Sequence, residues 1–484
     1  MSIERVAIIG AGIAGLSAAH HLAATHDVTV YDKEERLGGH ACTIDVPSSR
    51  DAQMHAAIDV GFIVYNGRNY PNLTALFDLL GVETAATSMS LAVSLDGGGY
   101  EYSGSGLGGL FGQPGNIVNL KHWAMLRDLQ RFFREAPALA IHASGTDDQT
   151  PHAGAVSLGA WLDRNGYSRA FIENHILPMG AAIWSTPSAS MLDFPAAAFA
   201  RFLANHGLLQ VRNRPRWRTV VGGSQHYVAA LEAATPATWR LGTGVAAVER
   251  HDAGVDVIDA DGHRAAFDAV VLATHGDVAR ALLSDADQHE DRVLGAFRTT
   301  ANEAVLHRDP GLMPKRRRLW SSWNYVAAQT DDALSVSYWM NALQPLATDD
   351  DWFVTLNPSA ALDPATVAAR KAWRHPVFDG PAIAAQSELW TLQGQRRTWF
   401  CGSYFGYGFH EDALQAGLAA AEDLSGRPRL WSHADQNDRL HLPPGWKPGL
   451  RLASFAPQAD TPSSVDAEPA CDNENQSFSQ SVAP

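Results

Sequence analysis

Two hydrophobic periods alternate along this chain. Arg5-Val6-Ala7-Ile8-Ile9 is a short apolar run of strand type, and residues 13–24, rich in alanine and leucine, have the character of a buried helix. Val28 to Tyr31 predicts a second strand. Residues 70–80 predict a short helix introduced by Asn69 and Pro71. Residues 97–115, rich in glycine and serine, predict a loop. Over residues 118–141 Leu120, Trp123, Leu126, Leu129, Phe132 and Phe133 fall at helical spacing. Further helices are predicted at 157–162, with Ser157 as cap, and at 170–179. Asp261-Gly262 marks a hairpin turn, residues 268–274 read as a buried parallel strand, and 299–307 and 333–339 are rich in β-branched and aromatic residues. From Trp431 onward the composition shifts to proline, serine, aspartate, asparagine and glutamine, so a disordered or loosely attached tail is expected.

Between the first strand and the first helix lies Gly10-Ala11-Gly12-Ile13-Ala14-Gly15. Gly10 turns the chain, Gly12 admits a pyrophosphate close to the backbone, and Gly15 lets helix and strand pack closely. The amides of Ile13 and Ala14 open the helix, whose N-terminus attracts anions. Asp32 ends the second strand about twenty residues on, where a ribose hydroxyl needs an acceptor. Strand, glycines, helix, strand and acid in this order read as a dinucleotide site.

Length and charge narrow the class. A chain of 484 residues exceeds one ordinary core, so two domains are the natural expectation. The formal charge of −15 argues against general nucleic-acid binding. Cys42, Cys401 and Cys471 are too scattered for a disulfide framework or a zinc site, so no metal is expected. No apolar run of spanning length occurs, and the apolar N-terminus belongs to the nucleotide unit rather than to a signal segment. A cytoplasmic protein is expected, able to rest on a membrane.

Asp32-Lys33-Glu34-Glu35-Arg36-Leu37-Gly38-Gly39-His40 resembles the continuation found in FAD enzymes of the amine oxidase and phytoene desaturase superfamily. The resemblance implies a second grip on the diphosphate by Lys33, Arg36, Gly38, Gly39 and His40, with His40 departing from the family's usual arginine. It also places Gly61 and Phe62 beside the isoalloxazine ring, Val245 against adenine, and Ala273 and Thr274 beneath the cofactor. Gly402, Ser403, Phe409, Asp412 and Ala413 fall in the second FAD fingerprint, where Ser403 replaces the family's acid. No cysteine tethers the ring there, so non-covalent FAD is implied. The implied fold is α/β: a Rossmann-type FAD-binding domain of the glutathione reductase/amine oxidase type with an inserted α+β substrate domain. Residues 1–85, 210–290 and 385–430 would form the discontinuous FAD-binding domain, 86–209 and 291–384 the substrate domain, and 431–484 the polar tail.

Within that superfamily the amine oxidase marks are weak here. Asn302 aligns with the family's lysine, and Phe409 with a tyrosine of its aromatic cage. An apolar pocket lined by Trp184, Trp339, Met340 and Phe409 suits an alkyl chain better. The whole-chain pattern looks like a bacterial group associated with modification of unsaturated or methylated membrane fatty acids, including the furan fatty acid route. This implies a desaturase or oxidase of acyl chains in which His410 or Glu411 takes a proton and oxygen or another acceptor reoxidises the flavin. An amine or amino-acid oxidase is the second reading, and a flavin-bearing partner that presents lipid without turnover the third. Lys315, Arg316, Arg317 and Arg318 beside Trp320 suit an anionic membrane surface. Arg212, Arg214, Arg216 and Arg218 alternate; if extended, they offer a solvated edge or a grip for phosphate or carboxylate.

Overall fold

The computed structural model describes residues 4–51, 53–142, 156–184, 191–205, 207–210, 214–327 and 335–449. Five parallel strands carry the nucleotide site. In spatial order they are Thr238–Arg240, Asp27–Tyr31, Arg5–Ile9, Ala269–Leu272 and Thr398–Phe400. Crossovers cover both faces of such a sheet, which is why Val6 to Ile8 and Ala269 to Leu272 are apolar without alternation and have no exposure. Ile9 is level with Tyr31 and Leu272, and Leu272 with Phe400. Four strands therefore end together, and a ligand crevice opens outside carboxyl ends so aligned.

Two helices begin at that crevice. The nucleotide helix Ile13–Leu22 and the later helix His410–Ser425 pack so closely that a Cβ on Gly417 would run into the Ala14 carbonyl. An antiparallel meander, Val245–His251, Gly254–Asp259 and Arg264–Phe267, leads into the strand Ala269–Leu272.

The substrate side is built on a seven-stranded sheet in the order Val367–Val377, Arg298–His307, Phe353–Leu356, Val336–Trp339, Trp323–Ala327, Leu91–Leu95 and Tyr100–Ser103. The last two strands correct the reading of residues 97–115 as loop. Gly97 and Gly98 form only the turn, at φ of 60° and 92°, and the strand after it is buried on both faces. Glu101 can be buried there because Arg316 pairs with it at 2.6 Å. Over one face lies a helical layer, Leu120–His142, Leu158–Arg164, Arg169–Phe171, a π-turn at Ile172–Ile176, Leu177–Trp184 and Ala196–Asn205. Phe132, Phe171 and Phe199 pack there with Tyr102 and Tyr325 of the sheet. Against the other face, Ala304, Leu306, Met340 and Trp373 meet Val46, Ile58 and Val60 of the hairpin Thr43–Pro47 and His55–Asp59. This second interface joins the two halves.

Two further expectations are corrected. Trp217–Val220 is the middle strand of a small sheet between Tyr65–Asn66 and Thr84–Ala86, not an edge. Arg218 there donates to the Thr84 hydroxyl and carbonyl, each at 2.8 Å, and Arg214 to the Gln210 carbonyl, so these two form no anion grip. Arg212 lies outside the described residues. Residues 431–449 are likewise no loose tail: Arg439 and Leu440 are buried, and Trp431 donates to Asn72 at 2.9 Å. Residues 450–484 lie outside the described set.

Candidate functional site

Two glycine turns face each other at the head of the nucleotide helix. A Cβ on Gly15 would collide with the Gly10 carbonyl, and one on Gly39 would lie 3.0 Å from the Gly12 Cα. Gly12 itself faces open space, with nothing within 4 Å of where its Cβ would be, and no side chain caps the helix that it starts. The first-turn amides are thus left for an anion. Asp32 reaches into the same turn and accepts the Ala11 amide at 2.6 Å. Its carboxylate retains lone pairs for hydroxyl donors. Ala273 and Thr274 lie against Gly10, and the backbone at Gly61 passes so close to the His40 carbonyl that only a glycine fits. Lys33 is exposed beside Gly244 at the head of the strand that Val245 begins.

Arg36 organises the loop. Its guanidinium donates to the carbonyls of Leu37, Gly39 and Ala41 and so shapes the Gly38-Gly39 turn. Its Nε and the Nε2 of His40 are buried without a partner. Buried polar atoms of that kind are uncommon without a ligand. Open glycine, uncapped helix, acid and orphaned polar atoms together fit a dinucleotide such as FAD.

His40 also belongs to a cluster that no single stretch of sequence reveals. Its ring stacks on Trp373 at 4.7 Å and lies 5.6 Å from His375 and 6.1 Å from His275. Burial, then the neighbouring imidazoles, hold His40 down to about 3, and burial holds His375 down to about 4. Burial also lowers His275. All three are neutral near pH 7.

The hydrogen bonds fix which nitrogen of His375 carries its proton. The Glu303 amide, an unambiguous donor, binds Asn357 Oδ1 at 2.9 Å. Asn357 Nδ2 therefore donates to Asn302 Oδ1 at 2.7 Å, and Asn302 Nδ2 faces His375 Nδ1 at 3.0 Å. An amide nitrogen only donates, so Nδ1 is bare and His375 is the Nε2–H tautomer. Asn302 comes to the junction on the strand Arg298–His307, opposite Trp373.

The second fingerprint is used differently from what its sequence implies. Glu411 accepts from the amides of Asn72 and Leu73, each at 3.0 Å, and from the Asn72 side chain at 2.7 Å. It caps the helix Pro71–Leu80, which is a structural task and not that of a catalytic base. Burial still pushes its carboxyl up to about 7. The Asp412 carboxylate takes the Phe409 amide at 2.6 Å and Arg439 at 2.8 Å, leaving only the helix-end amides toward a ligand. His410 stacks on Phe62 at 4.0 Å, and its Nε2 meets the Tyr227 hydroxyl at 2.6 Å. Burial holds it down to about 3, too weak a base for the role expected of it. Gly402 has φ of 158°, and the Ser403 carbonyl accepts the Gly406 and Gly408 amides, bending the chain back toward the helix. Ala413 is already bonded to the Phe409 carbonyl within the helix.

The expected apolar pocket is not assembled from its four members. Phe409 stacks on Phe202 at 4.9 Å in the helical layer. Met340 has no exposure and belongs to the interface core. Trp339 meets Trp320 edge-on and donates to Asp351 at 3.1 Å, on another face. The Trp184 side chain lies outside the described residues, as do Ser185 to Pro187. Of the cationic turn, Arg316 is spent on Glu101 and Arg317 on Asp351 at 2.7 Å.

Comparisons with known proteins agree with this geometry. The family described as flavin containing amine oxidoreductase matches residues 13–303. A Mycobacterium tuberculosis protein assigned as a flavin-containing monoamine oxidase, AofH, is 29% identical over 274 residues, 55% of this chain and 56% of that protein. The chain thus spans about half the length of the curated relatives it matches. Putrescine oxidase with bound putrescine has the same fold at TM-score 0.64 and 18% identity, covering 88% of this chain and 100% of that one. A CLA-producing fatty acid isomerase from P. acnes follows at 0.60 and 16%, covering 86% and 97%.

Proposed function

We propose, for a chain that belongs to the flavin-containing amine oxidoreductase family, a two-electron oxidation of an unsaturated fatty acyl chain. The glycine cradle of Gly10, Gly12 and Gly15 with Asp32 would hold FAD non-covalently, and FAD bound there would supply a two-electron acceptor for an allylic hydride, reoxidised by oxygen or another acceptor. Everything else falls to the protein. The helix-end amides at His410 to Asp412 favour negative charge at the near edge of the cofactor. Phe202, Tyr407 and Phe409 offer an alkyl chain an apolar wall and keep water away. The proton lost from the neighbouring carbon ends on the reduced acceptor, which as hydrogen peroxide carries both hydrogens; the imidazoles of His410, His40 and His375, all depressed by burial, are weak bases for it.

The observation that carries the acyl reading is the state of the polar groups where the two halves meet. Asp59, Glu411 and Asp412 are buried and hydrogen-bonded within the protein, and the three imidazoles are neutral. None of these carboxylates is left to pair with an ammonium group. That the similarly folded isomerase acts on a fatty acid is consistent with such a scaffold holding an acyl chain. A second reading, an amine oxidase, is favoured by the names of the monoamine and putrescine oxidases. Anaerobic incubation of the FAD-loaded protein with extracted lipids, and separately with primary amines, decides between them. Bleaching of the yellow absorbance by lipid, with acyl products two hydrogens lighter, is expected. Bleaching by an amine alone would overturn the acyl reading.

A further inference from the structure

Among the described residues nine large apolar side chains are exposed, and five of them, Leu107, Ile117, Val118, Leu120 and Trp123, fall within one short stretch. Leu107, Val118 and Leu120 are 75%, 82% and 84% exposed. The helix that begins at Leu120 turns Met125, Phe132 and Ala136 inward to the core, so its amphipathic pattern does not require these residues outside. A contiguous apolar patch on a folded surface marks a contact.

Its neighbour in space is the cationic turn. Phe111 packs on Trp123 at 5.2 Å, and a Cβ on Gly112, the next residue, would collide with the Leu319 side chain. Lys315 lies in the same way against Gly98. Lys121, Lys315 and Arg318 are exposed, whereas Arg316 and Arg317 hold the turn in shape through Glu101 and Asp351. Neither segment dilutes that charge with acids of its own. No aspartate or glutamate occurs from residue 102 to 127 or from 310 to 330, in a chain with 52 of them. An acidic molecule has thus kept one face apolar and basic.

We infer that this face docks on the surface of an anionic lipid bilayer, with Leu107, Ile117, Val118, Leu120 and Trp123 entering the headgroup boundary and Lys121, Lys315 and Arg318 pairing with lipid phosphates. The bilayer is favoured over a protein partner by the combination of shape and charge: leucine and valine tips with a tryptophan beside them, and nearby cations that form no ion pair among the described residues, suit a fluid anionic interface. No described helix is long and apolar enough to cross a membrane, so the contact is peripheral. The docking rests on the acyl-chain reading only for its purpose. The helical layer that carries the patch also holds Phe202 and Phe409, so docking would set the apolar wall of the site beside its lipid source.

The test uses the full FAD-loaded chain in flotation assays with vesicles of phosphatidylcholine alone or with phosphatidylglycerol. Flotation with the anionic vesicles, weakened by salt, is expected. The double variant Lys315→Glu, Arg318→Glu and the triple variant Leu107→Ser, Val118→Ser, Leu120→Ser should each weaken it at least about tenfold, with flavin absorbance and melting temperature unchanged. Equal flotation with both lipids, or full flotation of either variant, would overturn the inference. So would a dimer seen by light scattering that the triple variant abolishes while vesicles bind nothing, because the face would then belong to a second copy. Flavin reduction by lipid is scored separately, so docking and chemistry can fail independently.

Discussion

At Asn302 one amide sets the proton of its neighbour. Asn357 is held in the left-handed region, at φ of 47°, by exchanging hydrogen bonds with the backbone of Glu303, and that anchor fixes in turn Asn302 and His375. Selective ¹⁵N labelling of histidine is therefore expected to show His375 as a single Nε2–H tautomer that does not titrate between pH 5 and 9. Asn302→Leu should release it into a mixture, and an unchanged spectrum would show that the amide is not the cause. His40 was legible as a site residue because it ends a contiguous motif. His275 and His375 were not, since each is a lone histidine brought in by a separate element. Arg36 shows a related ambiguity: a guanidinium beside a glycine turn looks the same in sequence whether it binds a phosphate or, as two of its nitrogens do here, the turn's own carbonyls.

Helix ends provide the contacts between elements. Glu411, in the first turn of one helix, caps another, the helix Pro71–Leu80. Its folded pKa of about 7 lies above the ordinary carboxyl value because burial penalises the charge more than its donors repay. The folded state then binds the proton more tightly than the unfolded chain, so stability is expected to fall as pH rises from about 4.3 to about 7 and to level off above. Glu411→Gln should remove that part of the slope, up to about 3 kcal/mol across the window. Denaturant melts of both proteins at pH 5 and pH 8 measure it, and parallel slopes would refute the assignment. Contiguous elements such as Arg5–Ile9 and Ile13–Leu22 were legible from periodicity because a buried strand and helix need only their own residues. Tyr100–Ser103 was not, because the glycines on both sides dominate its neighbourhood and Glu101 is buried only by virtue of Arg316, 215 residues away.

For the whole molecule the correction at residues 431–449 matters most. Arg439, polar and far along the chain, reaches the Asp412 carboxylate and the Asn69 carbonyl in a buried site, which composition cannot reveal. Arg429 pairs with Glu422 at 2.6 Å where both are nearly inaccessible. Removing one partner from a buried ion pair is costly, so Arg439→Met is expected to destabilise the protein by about 3–5 kcal/mol. A loss of several degrees in melting temperature, with FAD released earlier in the melt, would be seen by calorimetry and flavin fluorescence. A change under one degree would return the segment to the status of a tail. The order of motifs along the chain made the two-part architecture legible; the strap that closes it was written in charged residues that read as solvent-facing.

The cap that Glu411 places on Asn72 joins residues 339 positions apart. A ribosome making this protein delivers the helix at Pro71–Leu80 long before its cap exists, and the fifth strand of the parallel sheet, Thr398–Phe400, arrives equally late. The nascent nucleotide unit must therefore wait with an open sheet edge and an uncapped helix until most of the polypeptide has emerged. Synthesis that stalls before residue 411 should yield a chain in need of chaperones and unable to keep its cofactor.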